Sequence, residues 1–175
     1  MNKVFEVIEA YKLFKFNKLK YKIVIHPQSY VHSIIRFKNG LIKMILYNTD
    51  MKIPISNTLY RKKNHVKNIK NIDIEKLNSL TFQKVDGSFF PSIKLINKCL
   101  NLGSSAPTII NASNEVLVNL FLKNKIGFLE IVSKLNRITK DKEFKKYAKH
   151  KSETLKDILI VDNWARLKTL AMCVR

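Results

Sequence analysis

Ile34-Ile35-Arg36-Phe37-Lys38-Asn39-Gly40-Leu41-Ile42-Lys43-Met44-Ile45-Leu46 is the stretch on which the fold turns. Two apolar and β-branched runs, 34–38 and 41–46, flank Asn39-Gly40, the dipeptide that best supplies the two positive φ values of a type I′ turn. The spacing predicts a β-hairpin. Just upstream, Lys22 to Ile25 reads as a short strand stopped by Pro27, which cannot donate to a ladder. Before it, Val4 to Phe14 reads as a helix with Phe5, Ile8 and Leu13 on its apolar face. After the hairpin, Pro54 opens a short helical turn toward Tyr60.

The pattern then changes. Residues 61–90 are rich in Lys and Asn with little periodicity, which predicts an extended linker with short ordered pieces around Leu77 to Phe82. Beyond it only helices are predicted: Pro91 to Leu102, Pro107 to Lys123, Phe128 to Thr139, and Thr154 to Met172 with Ser152 as N-cap. Apolar stripes on helices joined by short connections must bury one another, as in an antiparallel bundle. The expected class is α+β: a partial α/β front with the hairpin (1–60), a linker (61–90) and an all-α bundle (91–175).

The chain has 175 residues, of which 46% are hydrophobic, enough for a folded core. It contains no apolar run of membrane-spanning length and no apolar signal core after Met1-Asn2-Lys3, so the expectation is a cytoplasmic protein with no membrane partner. Cys99 and Cys173 form no CxxC pair, which argues against a zinc knuckle or a disulfide framework. The formal charge is +20. That raises nucleic acid as a partner, but Lys dominates Arg, and base readout favours the planar fork of Arg. Lys, Ile and Asn are together abundant enough to reflect AT-rich codons, so the charge is read as surface drift with no specific nucleic-acid partner.

Three places could carry chemistry. Asn2, Lys3 and Glu6 can converge at the start of one helix, Glu6 on its first turn, where free N–H groups and the helix dipole suit an oxyanion. A Glu there is also common for dipole reasons alone. His26, directly before Pro27, is pinned by the restricted pre-proline backbone. It can hold a ligand or simply satisfy a backbone group. Met51 can cap a pocket or fill a hydrophobic gap. His32 is assigned to structure, and His65 and His150 to the Lys-rich surface.

Ile25-His26-Pro27-Gln28-Ser29 followed by His32-Ser33 resembles the substrate-site strand and turn of the 1-deoxy-D-xylulose 5-phosphate reductoisomerase family. The resemblance runs collinearly through Asn2-Lys3, Glu6-Val7-Ile8-Glu9-Ala10, Asp50-Met51, Pro54-Ile55, Leu80-Thr81-Phe82, Asn111-Ala112, Asn114-Glu115-Val116, Asp162 and Trp164-Ala165-Arg166. It implies that residues 1–60 end a catalytic domain and that the nicotinamide-binding half precedes the segment present. It further implies that Asn2, Lys3, Glu6, His26 and Met51 bind a phosphorylated keto-sugar substrate, with Glu6 and His26 in catalytic positions. Glu6 would be one of three carboxylate ligands to Mg²⁺ or Mn²⁺.

NADPH would bind in the N-terminal half. Gly40, Gly87, Gly103 and Gly127 are too scattered for a dinucleotide loop. The family's dimeric habit implies a homodimer, and its distribution a bacterial cytoplasm or a plastid-like organelle. The chain departs from the family pattern at Val4, Phe5, Tyr47, Thr49 and Lys52. The first two are bulky enough to crowd the metal position. Two alternatives stand beside this reading: a decayed, non-catalytic remnant of such an enzyme, or a basic nucleic-acid-binding helical protein.

Overall fold

The computed structural model describes residues 1–14, 21–60 and 72–173. Seven α-helices are described: α1 (Asn2–Phe14), α2 (Lys52–Leu59), α3 (Lys94–Asn101), α4 (Ala106–Leu122), α5 (Phe128–Ile138), α6 (Phe144–Ala148) and α7 (Leu155–Cys173). Four strands form two antiparallel pairs, β1 (Val24–Ile25) with β4 (Gln83–Lys84), and β2 (Val31–Arg36) with β3 (Ile42–Leu46). The class is α+β, as expected. The residues fall into two compact units, one of Met1–Lys22 with Asp86–Arg175 and one of Ile23–Val85.

These units are not the sequence division at 60 and 90. α1 belongs with the helices, because Val4 and Ile8, one turn apart, share a core with Leu95 and Cys99 and α1 packs on α3. A helix settles where its apolar stripe is buried, whatever its neighbours in sequence. Residues 61–71, most of the first half of the expected linker, and with them His65, lie outside the described residues. The remainder is ordered: a 3₁₀ turn at Ile74–Ser79 and then β4.

In the helical unit α4 is the hub, packing against α3, α5, α6 and α7. It buries Ile109, Ile110, Ser113, Val116 and Leu117 at helical spacing. Facing it, α7 buries Val161, Ala165 and Thr169, small residues at i+4 spacing. The Thr169 and Ser113 hydroxyls meet at 2.9 Å, and Thr169 donates to the Ala165 carbonyl, so these buried polar atoms are satisfied. Trp164 stacks on Tyr147 with centroids 4.3 Å apart.

Two helix details differ from expectation. Phe144–Ala148 lies in a Lys-rich run without a predicted helix, yet Phe144 and Ala148, four residues apart, are fully buried. α7 is capped by Thr154, whose hydroxyl accepts from Asp157 N–H while Asp157 accepts from Thr154 N–H, a reciprocal box. Ser152 bonds instead to the hydroxyl of Ser105. Cys99 is 2% exposed, and burial pushes its thiol up to about 12. It should resist thiol reagents at pH 8 in the folded chain and react once urea unfolds it, which a time course of alkylation followed by mass spectrometry checks.

In the other unit the hairpin is present but its turn is not type I′. Gly40 N–H donates to Phe37 O (3.2 Å), Phe37 N–H donates to Leu41 O (2.8 Å), and Gly40 has φ +88° while Asn39 stays at negative φ. This is the three-residue loop, a type I turn closed by a left-handed Gly. Asn39 serves through its side chain, whose Oδ1 accepts from Leu41 N–H. A register shift between Val31 and Ser33 leaves His32 as the extra residue of a bulge.

Candidate functional site

Asn2, Lys3 and Glu6 lie on one exposed side of α1. Lys3 Nζ sits 2.6 Å from Glu6 Oε2, both side chains more than half exposed. Such a pair contributes little to stability. It therefore leaves the carboxylate and the ammonium available to a ligand at small cost. Glu6 is not on the first turn as expected. The helix begins at Asn2, which places Glu6 one turn in, so only Asn2 and Lys3 stand at the dipole end.

The bulky departures from the family pattern do not sit on this side. Val4 is 2% exposed within the core and Phe5 packs against the same core. Positions 3 and 6 project roughly opposite to positions 4 and 8 around a 100° wheel, so Val4 fills the packing face and does not crowd Glu6. Among the described residues no group of three or more His, Cys, Asp and Glu converges as a metal cage. Glu6 carries a hard oxygen donor. It suits Mg²⁺, which usually takes one or two carboxylates with further oxygens, and the described residues do not complete its shell.

His26 is held from three directions, all within its own unit. β1 pairs with β4, registering Ile25 opposite Gln83. The ring lies against Phe82, centroids 5.0 Å apart and planes 22° apart. Nδ1 is 2.9 Å from Thr81 O. A carbonyl only accepts, so Nδ1 carries a proton, and in the neutral ring Nε2 is then an acceptor. Nε2 is buried and has no hydrogen-bond partner among the described residues. The turn is closed by Ser29 N–H donating to His26 O (3.1 Å), with Ser29 at φ 57°.

His32, assigned to structure, makes its contacts with Tyr47. Its Nε2 is 3.1 Å from Tyr47 O, and the two rings stack at 3.7 Å. The departure at Tyr47 thus has a packing reason. Met51 is 67% exposed, immediately before α2. Asp50 Oδ1 accepts from Lys52 N–H at the start of that helix. Two distant stretches meet in the helical unit: Arg166 donates to Asp162 (2.6 Å) and to Glu115 (2.6 Å), tying α7 to α4, and these carboxylates raise its already high pKa. That network is exposed at its rim and holds helices together.

Glu6 and Lys3 belong to one compact unit, His26 and Met51 to the other. What the sequence left without a role is the Gln28, Ser79 and Thr81 group around His26, whose partners lie 51 to 55 residues apart. No local spacing signals such a contact.

Fold and side chains define an α+β protein with a helical domain, an ion-paired polar helix end, and an imidazole fixed on a pre-proline turn. The chain belongs to the 1-deoxy-D-xylulose 5-phosphate reductoisomerase family. Residues 46–168 match the model of the DXP reductoisomerase C-terminal domain. A relative of that name from Pelagibacter ubique is 42% identical over 174 residues, 99% of this chain and 45% of the relative. One from Zymomonas mobilis is 34% identical over 98% of this chain and 43% of its own length.

Solved structures agree. The Zymomonas mobilis reductoisomerase in complex with NADPH matches with TM-score 0.86, 32% identity, and coverage of 99% of this chain and 45% of that one. A reductoisomerase in complex with NADPH, fosmidomycin and magnesium matches with TM-score 0.91, 30% identity, and coverage of 98% and 43%. The chain thus spans less than half the length of the relatives it matches.

Proposed function

We propose that this chain serves as the C-terminal part of a 1-deoxy-D-xylulose 5-phosphate reductoisomerase. The reaction is the NADPH-dependent conversion of 1-deoxy-D-xylulose 5-phosphate to 2-C-methyl-D-erythritol 4-phosphate in non-mevalonate isoprenoid synthesis. The reading rests above all on the match, over almost the whole chain, to a structure named as binding NADPH, fosmidomycin and magnesium. The intact polar positions Asn2, Lys3, Glu6 and His26 add support.

In this reading Lys3 and Asn2 hold anionic and hydroxyl oxygens of the substrate at the helix end, through a charge-assisted contact and an amide. Glu6 offers a carboxylate oxygen to a divalent cation, Mg²⁺ or Mn²⁺. Once bound, that cation supplies Lewis-acid polarisation of the substrate carbonyl. His26 orients a substrate group through Nε2. Met51, exposed before α2, covers the substrate on the side of the nicotinamide. NADPH binds to the N-terminal half, and the complete enzyme works in the cytoplasm as a homodimer. The exposed apolar side chains of the hairpin, Ile35, Leu41, Ile42 and Met44 among them, give self-association a surface. Among the described residues no helix is long and apolar enough to cross a membrane.

The test is reconstitution. The purified chain should oxidise no NADPH with 1-deoxy-D-xylulose 5-phosphate and Mg²⁺. Fusion to the N-terminal half of the Pelagibacter relative should give metal-dependent turnover. Turnover by the chain alone, or a folded fusion that binds substrate yet stays inactive at every cation concentration, would sink the reading.

A further inference from the structure

The His26 turn is clamped by a residue that never touches the imidazole. Gln28 Nε2 donates to Ser79 O at 2.7 Å and lies 3.0 Å from Thr81 Oγ1, while Gln28 Oε1 accepts from Thr81 N–H at 3.3 Å. One side-chain amide therefore meets Thr81 at both its backbone N–H and its hydroxyl, and its N–H end also holds the Ser79 carbonyl. Thr81 is also the residue whose carbonyl accepts from His26 Nδ1 at 2.9 Å. The strand pair behind it, Ile25 with Gln83, fixes the approach of the two segments, and Phe82 fixes the ring plane.

In water a neutral imidazole exchanges its proton between two nitrogens. Here only one arrangement satisfies the carbonyl. With Nδ1 protonated, Nε2 keeps its lone pair, and it is buried without a donor among the described residues. An unmet buried acceptor raises the free energy of the ligand-free state, a cost relieved when a donor reaches it. Groups left in that condition recur where a ligand completes the bonding.

We propose that Gln28 is a positioning residue: by gripping Ser79 and Thr81 it locks His26 in the Nδ1–H tautomer and reserves Nε2 as an acceptor for a ligand hydroxyl. This rests on the proposed function for the ligand, a polyol phosphate, but the lock is a property of this chain alone. Gln28 was part of the family resemblance only as sequence. Its role follows from contacts across more than 50 residues of chain.

Two experiments separate the lock from the enzyme reading. In long-range ¹H–¹⁵N spectra of the labelled 175-residue chain, one imidazole, identified by its loss in His26→Asn, should show protonated Nδ1 and bare Nε2. Gln28→Met keeps the length of the side chain but none of its hydrogen bonds. It should move that signal toward the tautomer average while the helical resonances stay in place. A protonated Nε2 in the wild-type chain, or a spectrum unchanged in Gln28→Met, overturns the proposal.

In the fused enzyme, His26→Asn places an amide N–H where Nδ1–H was but has nothing at Nε2. It should fold normally and raise the KM for the sugar phosphate at least about 10-fold, the scale of one lost hydrogen bond, with the KM for NADPH unchanged. Full activity in His26→Asn would show that Nε2 does not meet the substrate and end that half of the proposal. If every fusion is inactive while the spectra behave as stated, the enzyme reading fails and the lock stands.

Discussion

Glu6→Gln in the fused enzyme should lower kcat by at least about two orders of magnitude, the scale on which loss of one preorganised electrostatic partner of a reacting group is felt. The substitution keeps shape and removes only charge, so a neutral amide replaces one carboxylate oxygen at the cation. The concentration of Mg²⁺ giving half-maximal rate should rise in step. Folding should not change: Glu6 is about half exposed and its ion pair with Lys3 is a surface contact. The unfolding free energy from urea titration should therefore stay within about 0.5 kcal/mol of the parent.

Lys3→Ala supplies the contrast, since removing a charge-assisted contact should act mainly on the KM for the sugar phosphate. Lys149→Ala, an exposed cation just after α6, should alter neither parameter. Near-normal rate and metal dependence in a folded Glu6→Gln fusion would show that the residue's assignment is wrong even within the right family.

Gly103→Ala should destabilise the helical unit by about 2–4 kcal/mol, large against the ~5–15 kcal/mol that holds a typical domain together. Gly103 sits between α3 and α4 at φ +123°, a region L side chains rarely adopt. A Cβ there would stand 2.6 Å from Ala148 O and 3.1 Å from Lys149 Cα, both backbone atoms that cannot rotate away. The close approach matters because Ser105 N–H donates to that same Ala148 carbonyl, and the Ser104 and Ser105 hydroxyls both donate to His150 O. Pushing the segments apart loosens the buried start of α4 as well as the turn. Equilibrium urea unfolding followed by far-UV circular dichroism should show a lower midpoint at unchanged slope. An unchanged midpoint would mean that the two segments part at no cost, contrary to the packing described.

Much of this was legible in the sequence because it was local. Asn39-Gly40 between apolar runs signals a hairpin, and the apolar stripes of 107–123 and 154–172 signal helices, since period and turn chemistry act over a few residues. Even so, the turn type was misjudged. Asn-Gly suits type I′, but strand register placed Gly40 alone at positive φ, and Asn39 contributes a side-chain acceptor instead. The short helix α6 was hidden because its Lys residues mask two buried positions, Phe144 and Ala148, that only the packed helices around them reveal.

The candidate site divides the same way. Asn2, Lys3 and Glu6 fall within one turn or so, so their shared helix face could be read from spacing alone, as could the pinned backbone of His26 before Pro27. By itself the sequence thus determined the α+β class and the family, both set by short-range periodicity or by residue identity. Only the tertiary structure decided that α1 packs with the helical unit, that Val4 fills the packing face and leaves Glu6 clear, and that Gln28 and Thr81 meet beside His26. Those outcomes depend on which surfaces are buried together and on hydrogen bonds spanning tens of residues, and neither is encoded in any local window of the chain.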